Sequence, residues 1–247
     1  MCQEKLDEYS SIFWTGTPLS SVLFDLCDTR GCASNDLLWY AITGVTDQYL
    51  RASINEKLYE KQIQNLKNAQ ERLNPNVIQK SKAESNSSSS VTLTNADGLI
   101  SYESDLRFVL LRHWSVYNSM LNSDFIASRL GAWREKGRRQ LELLLAKMAF
   151  PLSQCKADYS AMDLEYRELL TVQLEKFAEE FNIQSFSFPS FIREFGYLLK
   201  ISAADCVHSL RSILESPYAL SLSKTAQLNG NTPAWKNNFF FAFDAIE

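Results

Sequence analysis

The stretch SNDLLWYAITGVTDQYL, residues 34–50, begins with residues suited to capping a helix and runs through two aromatics and several aliphatics before reaching Thr46, Asp47 and Gln48. Ser34 or Asn35 supplies the cap, because a short side-chain acceptor there satisfies one of the N–H groups that a helix start leaves unpaired. Leu37, Leu38, Tyr40, Ala41 and Ile42 are apolar almost all round, so the spacing predicts a buried helix rather than an amphipathic one. Asp47 then leaves the buried segment at its polar end. A carboxylate placed there can cap the next element, hold a metal, or persist from a site that once did.

Upstream, Thr17 reads as a cap and Pro18 as the first helical residue, where a missing N–H costs nothing. Leu19, Val22, Leu23 and Leu26 supply one apolar face, and Gly31 ends that helix. Downstream, residues 53–73 form a polar helix with a sparse stripe of Ile54, Leu58, Ile63 and Leu66, stopped by Pro75. Residues 81–90, SKAESNSSSS, cannot bury anything and read as a linker. VTLTNADGLISY, residues 91–102, reads as a hairpin turning at Asn95, Asp97 and Gly98.

Leu106, Val109, Leu110, His113, Trp114, Tyr117, Met120 and Leu121 then recur at three- and four-residue steps, predicting one helix with His113 as a hydrogen-bonded core residue. A further helix carries Leu141, Leu144, Leu145 and Met148, and the chain turns at Phe150-Pro151. Asp163 caps a helix bearing Leu170, Leu174, Phe177 and Phe181. SFSFPSF, residues 185–191, alternates like a strand that Pro189 breaks. Ser202 and Asp205 resemble a capping box for a helix running through Leu214. The pattern is that of a mainly helical chain with little strand.

With 247 residues and 45% hydrophobic content, the chain can bury a substantial core. A net charge of −4 and a pI near 5.4 argue against wholesale nucleic-acid binding, while leaving room for local basic patches. No apolar run approaches the roughly 20 residues of a membrane span. The opening MCQEKLDEYS lacks the basic start and apolar core of a secretory signal. Cys2, Cys27, Cys32, Cys155 and Cys206 contain no Cys-x-x-Cys pair and read as reduced thiols. Only His113 and His208 are available, too few for local zinc-ligand spacing.

There is no Gly-rich phosphate loop, nucleophile elbow or His-Glu-x-x-His helix. Charge is segregated instead. Seven carboxylates lie between Asp158 and Glu180, and seven Lys/Arg face three Asp/Glu over residues 51–82. WREKGRR, residues 133–139, groups Arg134, Lys136, Arg138 and Arg139 beside Trp133. An ordinary solvated face is the first reading of such a cluster; the alternative is a contact surface, where arginines clamp phosphates or carboxylates and Trp133 is partly buried to fix the segment.

NDLLWYAITGVTDQYL resembles the signature segment of the cell division control protein 45 family, relatives of the RecJ nucleases in the DHH phosphoesterase superfamily. YESDLRFVLLRHWSVYNSM, RLGAWREKGRRQLELLLAKMAFPLSQ, FGYLLKISAADCVHSL and ILESP continue the resemblance in order. It implies the C-terminal part of a DHH-like α/β domain over residues 1–80, a Ser-rich linker over 81–98 and a helical helicase-interaction domain over 99–218. Residues 219–247 would form a tail toward a DHHA1-like domain that the chain lacks.

In the active nucleases of the superfamily a late metal-ligand aspartate stands where Asp47 falls. Asp7, Asp25 and Asp28 are the only aspartates before residue 34, and no histidine accompanies them, so Asp47 reads as a vestigial position with no metal and no cofactor. The resemblance implies a nuclear, non-catalytic replication factor, a scaffold subunit working with the minichromosome maintenance ring, the GINS complex and single-stranded DNA, away from membranes. Two rival readings are a RecJ-like metal-dependent single-strand exonuclease and a truncated form that binds some partners without supporting replication.

Overall fold

In a computed structural model, residues 16–74, 98–183, 185–195, 199–216 and 234–246 are described. Pro75, the Ser-rich stretch and the first arm of the expected hairpin lie outside them. The chain groups into two compact units, one of residues 1–103 with 190–203, the other of residues 104–189 with 204–247.

In the first unit, helix α1 (Leu19–Thr29) leads to α2 (Asn35–Leu50) and α3 (Glu56–Leu73). Ser34 caps α2 by accepting from the Leu37 N–H at 3.3 Å. The expectation of an all-round buried helix holds: Leu38, Trp39, Ala41, Ile42, Val45 and Tyr49 are all buried. Gly44 admits α1, since any Cβ there would collide with the Ser20 side chain. On the other side Tyr49 stacks on Tyr59 of α3, ring centroids 4.0 Å apart. Asn35 and Asn74 exchange amide hydrogen bonds of 2.9 and 3.1 Å, tying the start of α2 to the end of α3.

Two stripes read from the sequence are corrected here. On α1, Leu19, Val22, Leu23 and Leu26 are exposed, and the inward face is Ser21 and Phe24. Pro18 immediately precedes the helix, so Thr17 is not its cap. On α3, Asn55 caps through the Leu58 N–H at 2.9 Å, which rotates Leu58 outward and brings Tyr59 into line with Ile63 and Leu66. That register also buries Gln70, whose amide donates to the Ile100 carbonyl at 2.8 Å.

Strand β1 (Ile100–Leu106) covers the second arm of the expected hairpin, whose first arm lies outside the described residues. Its neighbour is β2 (Ser187–Phe195), which in turn neighbours β3 (Leu199–Ser202) in a three-stranded sheet. Pro189 lies within β2 instead of breaking it. The antiparallel register with β3 starts only at Ile192–Ser202, so at Pro189 the missing N–H interrupts no bond to that strand.

The second unit takes over as β1 ends. Residues 106–121 do not form one helix. Arg107 still donates to the Phe186 carbonyl at 2.8 Å, Leu110 is left-handed at φ 51°, and a 3-10 turn covers Leu111–His113. Helix α4 (Val116–Asn122) then starts under a Ser115 cap. The break sends Phe108, Leu111, Val116 and Met120 inward, leaving His113 exposed rather than in the core, with Trp114 partly exposed.

Helices α5 (Asp124–Leu130), α6 (Glu135–Lys147), α7 (Leu152–Lys156) and α8 (Leu164–Phe177) follow. Leu141, Leu144, Leu145 and Met148 of the α6 segment join Met120, Ile126, Leu170 and Leu174 in one core. Asp163 precedes α8, but its carboxylate accepts from Gln154 at 3.0 Å instead of capping. Helix α9 (Ala203–Glu215) begins directly after Ser202, and α10 (Ala234–Asp244) is the last described helix.

Leu144→Ala should cost about 2–5 kcal/mol in urea unfolding, because its side chain is wholly enclosed. Leu143→Ala, next to it but 51% exposed, should cost less than about 1 kcal/mol. The pair separates burial from helix propensity, which is the same for both.

Burial also pushes the Cys155 thiol up from its ordinary 9.0 to about 11. Between those values the unfolded chain releases a proton that the folded chain keeps. Stability therefore stays whole below the lower value and falls as pH rises through the window. Urea midpoints across it should drop less for Cys155→Ala than for the parent chain.

Candidate partner- and nucleic-acid-binding surface

The WREKGRR segment is built by a tight turn between α5 and α6. Gly131, at φ +66°, closes α5 in the left-handed conformation that suits glycine. Its carbonyl accepts from the Arg134 N–H at 2.9 Å, and the Arg134 carbonyl accepts from Gly137 and Arg138 at 3.0 and 3.1 Å. Gly137 is buried against this turn. A Cβ there would run into the backbone carbonyls of Gly131 and Leu130. The first turn of α6 is thereby pressed onto the turn before it, and the other side chains of the segment point out.

Arg134, Lys136, Arg138 and Arg139 are all exposed. Trp133 is 65% exposed, so it is not the half-buried anchor expected from the sequence; backbone packing at Gly137 fixes the segment instead. Arg139 pairs with Glu135 at 2.5 Å, one helical turn away and with both side chains mostly in solvent. Such a pair contributes about 0–1 kcal/mol, and the guanidinium stays available to a partner. Arg138 lies near Tyr117, whose hydroxyl meets Glu142 at 3.5 Å. Partial burial, then the Glu142 charge, push the Tyr117 hydroxyl up, while Arg138 works in the opposite direction.

Arg134 and Lys136, at the very start of α6, sit at the positive end of its dipole, where each is mildly unfavourable, whereas Arg138 and Arg139 lie in the second turn and Arg139 is offset by Glu135. The exposed Trp133 indole lies beside these cations in the chain.

The other charge clusters are more self-contained. In the 51–82 stretch Arg51 pairs with Asp47 and Arg72 with Asp28, while Lys67 sits 4.4 Å from the Tyr102 ring centroid. Lys57 and Lys61 are exposed, whereas Lys80 and Lys82 lie outside the described residues. Along α8, Glu165, Glu168 and Glu175 flank exposed Leu169 and Val172, giving an acidic face with apolar content that the sequence reading missed. Both residues fall off the Leu170/Leu174 stripe, which was the available signal. Helix α10 likewise exposes Trp235, Phe239, Phe240 and Phe243, announced only by the run FFFAF.

Asp47 stands in the last turn of α2, which continues to Leu50. Its carboxylate takes the Arg51 guanidinium at 2.8 Å, and the cap of the next helix is Asn55 rather than Asp47. A divalent cation needs several oxygen or nitrogen ligands. Among the described residues no three His, Cys, Asp or Glu side chains converge to supply them, and Asp47 already holds a cation in Arg51. The described residues around Asp47 do not assemble a metal centre.

The sequence profile of the CDC45 family matches residues 2–247. The chain belongs to the CDC45 family. It is 33% identical over 221 residues to the cell division control protein 45 homologue of Schizosaccharomyces pombe, covering 86% of this chain and 34% of that protein. The human homologue is 34% identical over 212 residues, covering 86% of this chain and 36% of its own length. The crystal structure of CDC45 from Entamoeba histolytica superposes with a TM-score of 0.69 at 26% identity, covering 92% of this chain and 41% of that one. The mainly helical fold with a small sheet, and its DHH-like relationship, are thus those of a CDC45. The chain spans about a third of the length of the curated CDC45 relatives it matches. No described helix is long and apolar enough to cross a membrane.

Gly137→Ala should destabilise the chain by about 1–3 kcal/mol through the backbone collision. It should do so although alanine is the better helix former by about 1 kcal/mol. Thermal or urea unfolding reads the sign directly, and a stabilised variant would show that the α5–α6 turn is not tightly packed.

Proposed function

We propose that this CDC45 chain acts in DNA replication as a non-catalytic scaffold within the replicative helicase assembly, in the nucleus. Its partners in that reading are the minichromosome maintenance ring, the GINS complex and single-stranded DNA. The observation that carries the reading is the outward-facing cation cluster of Trp133, Arg134, Lys136, Arg138 and Arg139. It is held at the start of α6, where Arg134 and Lys136 are mildly unfavourable to the helix. Its relatives are named as cell division control proteins, which supports a role in replication. Segregated charge, basic here and acidic along α8, supports oriented docking over general solubility.

No observation favours the exonuclease alternative, since the Asp47 carboxylate is engaged by Arg51. The vestigial-ligand reading of Asp47 is kept as part of the same proposal: the position is inherited and now serves a surface ion pair.

The double reversal Arg138→Glu, Arg139→Glu tests the cluster. Stability should fall by no more than about 1–2 kcal/mol, because both side chains are exposed and the change removes one surface pair, Arg139–Glu135, and sets like charges one turn apart. Affinity for single-stranded DNA should fall at least about tenfold at low salt. The slope of log affinity against log salt should lessen by about one for each phosphate the variant no longer neutralises. A loss confined to the protein partners, with a shallow salt response, assigns the cluster to a protein interface instead. Unchanged binding to every partner makes it a solvated face and removes the proposal's main support.

A further inference from the structure

The end of α1 brings two thiols together. The Cys32 N–H donates to the Cys27 carbonyl at 3.0 Å, and the Gly31 N–H donates to the Asp28 carbonyl at 3.0 Å, with Gly31 at φ +73°. This pair of bonds is the Schellman arrangement, which turns the chain back on the last helical turn and sets the residue after the glycine against the one five places before it. Here both of those residues are cysteines. The 3.0 Å bond between their backbones keeps the two α-carbons within about 7 Å, the range a disulfide spans. The Cys32 thiol also donates to the Cys27 carbonyl oxygen at 3.4 Å, which places its sulfur against the Cys27 backbone. Cys27 is half-buried and Cys32 is exposed.

We propose that Cys27 and Cys32 are a redox-responsive pair that closes into an intrachain disulfide and fastens the end of α1. The pairing needs no long-range contact and no change of fold, only rotation of two side chains whose backbones the turn already holds together. With oxidised glutathione as oxidant, the exposed Cys32 thiolate attacks one sulfur of the glutathione disulfide, releasing one glutathione thiolate and forming a mixed disulfide. The Cys27 thiolate then attacks the Cys32 sulfur and expels the second glutathione. Two protons leave the cysteines, and two electrons reduce one glutathione disulfide to two thiols. Partial burial, then the neighbouring Cys32 sulfur, push the Cys27 thiol up, which suits it to the second, intramolecular step rather than the first. Cys155, fully enclosed, serves as an internal control that should stay reduced while the chain is folded.

Trypsin provides the readout, because Arg30 lies between the two cysteines. The full chain is equilibrated with oxidised and reduced glutathione, quenched in acid, alkylated and digested without reductant. The expected product is the peptide of residues 6–30 joined to that of residues 31–51, lighter by two hydrogens than the separate peptides and parted by reduction. At the same glutathione ratio the link should form about tenfold more readily in the folded chain than in urea, since the turn holds the thiols together. In Cys27→Ser, the glutathione adduct on Cys32 should persist. Separate peptides carrying glutathione or alkyl groups would overturn the proposal. So would links found only between two chains, or equal linkage in urea.

Discussion

Buried backbone carbonyls need donors, and the passage from sheet to helices at residues 107–119 is organised around that need. As the chain leaves β1, the carbonyls of Arg107 and Val109 fall where neither strand nor helix can pair them. The Ser123 and Ser119 hydroxyls donate to them at 2.6 Å each. To reach, α4 must start after Val109 has turned away, and Leu110 pays for the turn with a left-handed backbone. Ser123, fixed in this way, is also the junction between α4 and α5. The direction of α5, its closure at Gly131 and the presentation of the basic segment on α6 all follow from where those two hydroxyls are anchored.

This is why the strongest periodicity in the sequence misled. Leu106, Val109, Leu110, His113, Trp114 and Tyr117 step like one helical face, yet a strand end, a 3-10 turn and a short helix satisfy the same spacing. Only Ser115, a good cap in the middle of the run, hinted at the break. Helices α2 and α6 were legible because their apolar residues have one destination. The Ser34 cap and the Leu141, Leu144, Leu145 and Met148 set need no distant partner to be interpreted. On α1 the apolar stripe was visible but its direction was not, because Gly44 draws the Ser20 side inward by close backbone approach. Close approach leaves no hydrophobic signature.

The basic surface was legible in its charges and illegible in its support. Four cations within six residues announce an exposed cluster whatever the fold. That Gly137, rather than Trp133, holds them in place is a matter of a missing Cβ against two carbonyls. The consequence is an indole free to stack on a ligand, set beside guanidinium groups whose backbone cannot shift far. Asp47 shows the converse. Its place in the family's signature suggested chemistry, and its neighbour one turn on, Arg51, turns the carboxylate into half of a surface ion pair.

The sheet has a kinetic consequence. The Ser101 hydroxyl donates to the Ile192 carbonyl across 91 residues of chain, whereas the helices between them are held by contacts among near neighbours. Pairing β1 with β2 closes that whole loop, and the entropy of closure is smallest once the intervening helices have already shortened it. During synthesis β1 emerges long before its partner and must wait with an unmatched edge while the helical segment collapses. Its exposed residues are Tyr102, Glu103 and Ser104, of which only Tyr102 is apolar, and this lack of an apolar run discourages the waiting strand from pairing with another chain.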